Sequence, residues 1–403
     1  MNMNFYYAPM EGITLYPLRN IHREIFGKGV DKYFTPFLTA THDHHFKNRE
    51  KKDIQPDKVT GFEDYNSHIM PQIMAGCAED FLWAAAEIKK LGYSEVNLNL
   101  GCPAPTVVNR RKGSGLLKDT DYLDEMLKKI FDAVPAAEGT GCAYDDHTGS
   151  SSGNREGVDG SLIVSDHENP ENTGAASPYP FVSLKTRLGF YSDDEADELM
   201  KIYARYPIKE LIIHARVRED YYKGEARLDA FKRAVSVYRE NGGKADICYN
   251  GNINSLQDYH RLPDMFQSAS ASDINTVSTS NNSPDIGAAN RAISAACTDS
   301  PLISSVMIGR GLLSNPALIR ELKGGAPLSA DELRLYLSRL YNAYAEYIPE
   351  DRNVIFKMLE HWAFLHVHFE DCDKQLKAIR KSRSKGEYHA AVNNIFSSCK
   401  FVT

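Results

Sequence analysis

Along this chain, short β-rich apolar runs alternate with segments whose apolar residues recur at helical spacing, from the N-terminus to about residue 322. The runs predict strands at Phe5–Tyr7, Lys32–Phe34, Ile69–Ile73, Val96–Leu100, Phe181–Thr186, Glu210–His214, Asp246–Tyr249 and Ser305–Ile308. Glu79–Leu91 and Tyr122–Ala133 carry the helical rhythm between them. Several runs are apolar on both faces, as in a parallel sheet covered on both sides. This succession of β–α units predicts an α/β fold, a TIM (β/α)8 barrel, with an open doubly wound sheet as the alternative.

Two segments interrupt the rhythm. Residues 136–179 are rich in Gly, Ser, Asn, Asp and Glu, and residues 263–300 carry the tract QSASASDINTVSTSNNS. Neither holds enough apolar residues for a core, so both are expected to be flexible insertions, with a short helix near Ile286–Ala296. Each follows a helical segment and precedes a strand, which in a barrel is the N-terminal face, opposite the catalytic mouth.

After about residue 323 the strand pattern stops. Ser329 with Glu332 fits a capping box opening a helix with Leu333, Leu337 and Leu340 on one side. A second helix is expected to carry Ile355, Met358, Leu359, Trp362 and Leu365, and a third Lys374, Lys377, Arg380, Lys381, Arg383 and Lys385. The division expected is a barrel over 1–322 and a small helical domain over 323–403. The apolar stripes read as its core and the basic run, taken alone, as a solvated face.

Bulk composition narrows this picture slightly. Hydrophobic residues make up 42% and charged residues 25%, ordinary for a globular protein. No apolar run reaches the roughly 20 residues that span a bilayer, and the N-terminus MNMNFYYAPM lacks the pattern of a signal peptide. The seven cysteines are scattered, odd in number and without a C-x-x-C pair, which fits the cytoplasm and argues against a zinc site or a disulfide framework. With a net charge of −7, any contact with nucleic acid must use local basic patches.

The chemistry gathers where strands end. Val96, Leu98 and Leu100 run into Gly101-Cys102-Pro103, which presents a thiol at a strand tip, either packed or catalytic. Other strand ends read APMEG, PQIMAG, LKTRLG, IHARVRE, YNGNI and IGRGLLSNP, and in a barrel they converge on one mouth. Gly251, Gly309 and Gly311 allow close backbone approach and Arg310 adds a planar cation, on the two loops that commonly hold phosphate in such barrels. Lys185, His214, Gln72 and Asn99 would offer a cation and fixed donors to a planar, electron-rich ring such as a flavin. The segment THDHH (41–45) has no partner cluster at ligand spacing and reads as an exposed loop; no metal is expected.

In the order APMEGIT, PQIMAG, NLNLGCPAPTVVNRRKGSGLL, SLKTRLG, IHAR, YNGNI and VMIGRGLLSNP, the chain resembles the tRNA-dihydrouridine synthase family. The resemblance covers nearly everything except the two insertions. It implies an FMN-containing TIM barrel followed by a helical domain that helps grip tRNA, reducing uridine to 5,6-dihydrouridine with NADPH. By position, Pro9, Met10 and Glu11 match backbone lining the FMN. Gln72 and Lys185 match contacts to its ring system, with Asn99 and His214 also at the ring. Asn250, Gly251 and Asn252, then Gly309 and Arg310, match phosphate-binding loops. Cys102 matches a proton donor: hydride goes from reduced FMN to C6 of uracil, and the thiol gives its proton to C5. Asn252 stands where an acidic residue is common, with a contribution expected through its backbone, and Asn97 stands where aspartate is common.

The target base must then leave its stack to reach the mouth. Arg110, Arg111 and Lys112 on the loop beyond Cys102, with Arg187 and Arg216, are the expected substrate contacts, and the C-terminal basic run becomes a candidate tRNA surface. A monomer without membrane association is expected. Two other readings remain at this stage: an FMN-dependent reductase of a free pyrimidine or small enone, and a tRNA-binding protein without catalysis.

Overall fold

In the computed structural model, which describes residues 3–136, 177–262 and 302–403, the apolar runs form one sheet of ten parallel strands. They are β1 (Asn4–Tyr7), β2 (Lys32–Phe34), β3 (Leu38–Thr39), β4 (Ile69–Met70), β5 (Gln72–Met74), β6 (Glu95–Asn99), β7 (Phe181–Gly189), β8 (Glu210–Val217), β9 (Asp246–Asn250) and β10 (Ser305–Ile308). Their order is β3-β5-β6-β7-β8-β9-β10-β1-β2-β4. The two ends of that order meet, because only Pro71 separates β4 from β5. The sheet therefore closes on itself as a TIM barrel, with β2/β3 and β4/β5 each acting as one interrupted strand.

Pro71 explains the interruption in the run expected as a single strand. Proline has no N–H to give to the ladder. Thr35 spans the break: its N–H donates to the Met70 carbonyl at 3.0 Å, and its hydroxyl accepts from the Gln72 N–H at 3.1 Å. Tyr6, Phe34, Met70, Ile212, Cys248 and Met307 fill the barrel interior. Below them Glu210 accepts from the Tyr6 hydroxyl at 2.7 Å and pairs with Lys32 at 3.1 Å, so the buried carboxylate is neutralised. β7 and β8 run beyond the expected ends, to Gly189 and Val217, which puts Arg187 and Arg216 within strands.

After β10 the described elements are helical, apart from one antiparallel bridge between Phe369 and Phe401. The main helices are Ala330–Ala345, Asp351–Leu365, Asp373–Lys381 and Lys385–Ser398. The first begins at the Ser329–Glu332 capping box. They dock on the barrel helix Tyr16–Phe26, where Phe26 meets Tyr336 edge-on with ring centroids 5.5 Å apart. His368 ties them to the exit of β10, its Nε2 lying 2.7 Å from the Ser314 carbonyl. Leu376 and Ile379 are buried, whereas Lys374, Lys377, Arg380, Lys381, Arg383 and Lys385 are all exposed.

Nearly all of the two expected insertions, and the helix near 286–296, lie outside the described residues. Their flanks are described. Helix Thr120–Ala133 leads into the first and β7 follows it; helix Leu256–His260 leads into the second and β10 follows it. Both junctions lie at the N-terminal ends of strands, the barrel face away from the cavity described next.

Candidate active site

At the C-terminal ends of the strands lies a cavity of about 810 Å³, its open mouth included. Its lining holds Pro9, Met10, Glu11, Gln72, Asn99, Cys102, Lys185, His214, Asn250, Gly251, Gly309 and Arg310. Gln72, Asn99, Lys185, His214 and Asn250 belong to β5, β6, β7, β8 and β9, and the others follow β1, β6, β9 and β10, so barrel closure brings together residues from both ends of the barrel sequence.

A chain of buried amides sets the Cys102 loop. Ser183 Oγ accepts from Asn97 Nδ2 at 3.1 Å, and Asn97 Oδ1 accepts from Gln72 Nε2 at 2.8 Å. Gln72 Oε1 in turn accepts from Asn99 Nδ2 at 2.7 Å. Asn99 Oδ1 then accepts from the backbone N–H groups of Gly101 and Cys102 at 3.0 and 2.9 Å. Each amide fixes the flip of the next, so Asn97 orients Gln72 through a neutral donor–acceptor pair. From the other side Ser114 Oγ donates to the Cys102 carbonyl at 2.8 Å. Burial raises the Cys102 thiol above its usual pKa, against the opposing pull of Arg187 and Lys185, so the sulfur stays protonated at neutral pH.

The cavity is strongly cationic. Lys185, Arg187, Arg216 and Arg310 line it, with Glu11 the one carboxylate among the lining residues. Burial, then the Arg187 charge, pushes Lys185 down to about 7. Among the described residues, no hydrogen bond or ion pair engages its ammonium. Burial and the surrounding cations also hold His214 well below the usual imidazole range, so it is neutral. Arg216 can only donate, so His214 Nε2 accepts from its NH1 at 3.2 Å and the ring proton sits on Nδ1. Burial, with some help from the charges of Glu50 and Asp53, leaves Glu11 with a raised pKa despite its 2.7 Å ion pair with Arg49, which pulls the other way.

The two buried arginines brace the mouth from below. Arg187 donates to the carbonyls of Gly101 and Val217 at 2.7 and 2.9 Å. Arg216 donates to Lys223, Gly224 and Asn252. Asn252 lies just outside the lining, and its side chain is engaged: Oδ1 accepts from Arg216 at 2.8 Å and from Arg310 at 3.2 Å. A neutral amide there adds no charge to offset either guanidinium.

Arg110, Arg111 and Lys112 lie outside the cavity. Arg110 is exposed. Arg111, in a left-handed conformation at φ 53°, pairs with Asp119 and lies 3.7 Å from the Tyr122 ring centroid. Lys112 donates to the Ala40 carbonyl at 2.5 Å. The latter two thus hold the loop in place.

Sequence reasoning missed Tyr222, Pro36 and Phe37, which also line the cavity. Tyr222 is half exposed, with Arg187 5.6 Å from its ring centroid. The tandem tyrosines after IHARVRE were the available signal. Among the described residues, no group of three or more His, Cys, Asp or Glu could hold a metal ion, and no helix is long and apolar enough to cross a membrane.

A sequence model described as dihydrouridine synthase (Dus) matches residues 6–138 and 175–297. A probable tRNA-dihydrouridine synthase of Staphylococcus aureus is 25% identical over 342 residues, 84% of this chain and 78% of that one. The tRNA-dihydrouridine synthase B of Pseudomonas syringae is 26% identical over 256 residues, 62% of this chain and 57% of that one. A probable tRNA-dihydrouridine synthase 2 of Bacillus subtilis is 24% identical over 344 residues, 85% and 79% respectively.

Proposed function

This chain belongs to the dihydrouridine synthase family, and on that premise we propose that it reduces the C5–C6 double bond of specific uridines in tRNA, with FMN bound and NADPH as reductant. With tRNA as substrate, the place of the reaction is the cytoplasm. The observation that carries the reading is one cavity that joins a protonated thiol to a surplus of cations.

The residues present fit a flavin nucleotide. An unpaired ammonium, lowered to about 7, favours an anionic partner over empty space. The uracil-like edge of a flavin needs fixed amide donors, and Gln72 and Asn99 each keep an N–H beyond those committed to the relay. Arg310, Gly251 and Gly309 would take the phosphate, with Pro9, Met10 and Glu11 along the ring and neutral His214 at its edge. The bound flavin supplies a hydride equivalent to C6 of the uracil.

The chain's own residues do the rest. Cys102 holds a proton for C5, and its raised pKa keeps that proton on sulfur until negative charge develops on the ring. Asn99 keeps the thiol at the strand tip by holding two N–H groups of its loop. Arg187 and Arg216 hold a positive potential under the site, favouring charge that develops at O4. Arg110 is proposed to meet phosphate outside the mouth, with Arg111 and Lys112 keeping the loop beneath it in shape. The exposed basic run on the last two helices is proposed as a further tRNA contact.

The test is incubation of the purified protein with FMN, NADPH and unmodified tRNA, followed by nucleoside mass spectrometry. Dihydrouridine in tRNA, and none from free uridine, is the expected result. Turnover of free uridine alone would assign the chain to small pyrimidine reduction. A protein that takes up no flavin would leave only tRNA binding.

A further inference from the structure

The loop after β1 does two jobs. It lines the catalytic cavity through Pro9, Met10 and Glu11, and then meets the helical domain. The Gly12 carbonyl accepts from Lys357 Nζ, and the Tyr16 ring lies 5.6 Å from that of Tyr347 at an angle of 42°. The short helix Asn48–Lys52 adds a third wall. Between the three lies a second cavity of about 460 Å³, its open side included. It adjoins the first through one ion pair, in which Arg49 of the second cavity holds Glu11 of the first at 2.7 Å.

The charges in this pocket do not cancel. Asp53 is buried and already accepts from the Tyr16 N–H at 2.6 Å and from Arg19 at 3.4 Å. Arg49 is held by Glu11. Lys52 is exposed and, among the described residues, makes no ion pair; its ammonium lies 5.8 Å from the Tyr347 ring centroid. The pocket therefore offers two aromatic rings, one free cation and the exposed amide of Asn48. On a chain of net charge −7, a free cation beside aromatic rings is a local attractor for a nucleotide. Unstacked RNA bases are held in this way, by aromatic faces with basic side chains on the backbone.

We propose that this pocket binds one nucleotide of the substrate RNA outside the extruded uridine, with its base against Tyr16 and Tyr347, its phosphate on Lys52 and its base edge on Asn48. The proposal rests on tRNA being the substrate. Because the pocket is walled by both the barrel and the helical domain, a nucleotide seated there would fix the RNA against both at once. That makes it a determinant of which uridine reaches the mouth.

The test uses the full-length, FMN-loaded enzyme and unmodified tRNA, comparing wild type with Lys52→Glu, Lys52→Arg and Tyr347→Leu. Lys52→Glu and Tyr347→Leu should each raise KM for tRNA by about tenfold, the scale of one lost base contact, with kcat largely kept. Lys52→Arg should behave as wild type. Flavin reduction by NADPH without tRNA should be unchanged in all three. An unchanged KM in Lys52→Glu, or in a Tyr347→Leu variant with an unaltered melting temperature, would overturn the proposal. So would slower flavin reduction by NADPH, which would give the pocket to the dinucleotide. If wild type itself formed no dihydrouridine, the functional reading would fall and take this subsite with it. Wild-type activity with unaltered variants removes the subsite alone.

Discussion

In the proposed reaction two side chains matter most, and burial shifts the pKa of both. Cys102 is held protonated, which suits the proposed part of proton donor rather than nucleophile. Cys102→Ala should keep FMN and tRNA binding but lower dihydrouridine formation by about 10²–10⁴, the usual worth of a placed general acid; normal turnover by mass spectrometry would remove the assignment. Lys185 behaves in the opposite sense. In the free protein its pKa is pushed down to about 7, and an anionic ligand beside it must raise that value. At pH 8, FMN binding should therefore take up a proton, and affinity should fall as pH rises above about 7. Calorimetry in buffers of different ionisation enthalpy reads this directly, and Lys185→Met should abolish the uptake. Cys102 and Lys185 were legible in the sequence because each follows or ends an apolar strand. The amide relay behind them was not, because its links join β5, β6 and β7 across the barrel and leave no trace in local spacing.

At the level of elements, periodicity found the eight main strand positions but missed β3, the break between β4 and β5, and where β7 and β8 stop. Lys185, Arg187, His214 and Arg216 break the apolar pattern, yet all four lie in strands. Arg187 and Arg216 are held there by donating to carbonyls that sequence cannot place beside them, Gly101 and Val217 for the first, Lys223 and Gly224 for the second. The glycines after β9 and β10 separate into two kinds. A Cβ on Gly311 would come within 2.1 Å of the Ile253 carbonyl, a backbone atom that cannot step aside. On Gly309 it would meet only Ala8 and Met10 side-chain atoms at 3.5 Å, an ordinary contact. Gly311→Ala should therefore destabilise the fold by the roughly 1–3 kcal/mol typical of overpacking, seen as a lower melting temperature, and weaken FMN retention. Gly309→Ala should melt as wild type. Equal melting temperatures would show that the loop after β9 yields, and that Gly311 does not set the spacing of the two loops. The sequence alone suggests ligand approach for both; the structure gives Gly311 to packing between the loops.

For the molecule as a whole, parallel topology puts the catalytic mouth and the two insertion points on opposite faces. The helical domain sits near the mouth side of the barrel, tied by Lys357 to Gly12 and by His368 to Ser314. None of those partners is within 50 residues of the other, so the seam could not be read from any local pattern. The position of the insertion points could, since it follows from the alternation of helix and strand alone. It leads to a whole-molecule prediction. Helix Thr120–Ala133 ends, and β7 begins at Phe181, at the face remote from Lys185 and Cys102. Deleting residues 140–174 removes chain joined at that remote face while leaving linkers to both elements. Since surface insertions away from buried contacts are well tolerated, dihydrouridine formation should stay within about twofold of wild type, with unchanged FMN content. Loss of activity in a variant that still binds FMN and melts as wild type would mean that this segment reaches round the barrel to the mouth. Substrate contacts would then have to be sought on it as well as on the helical domain.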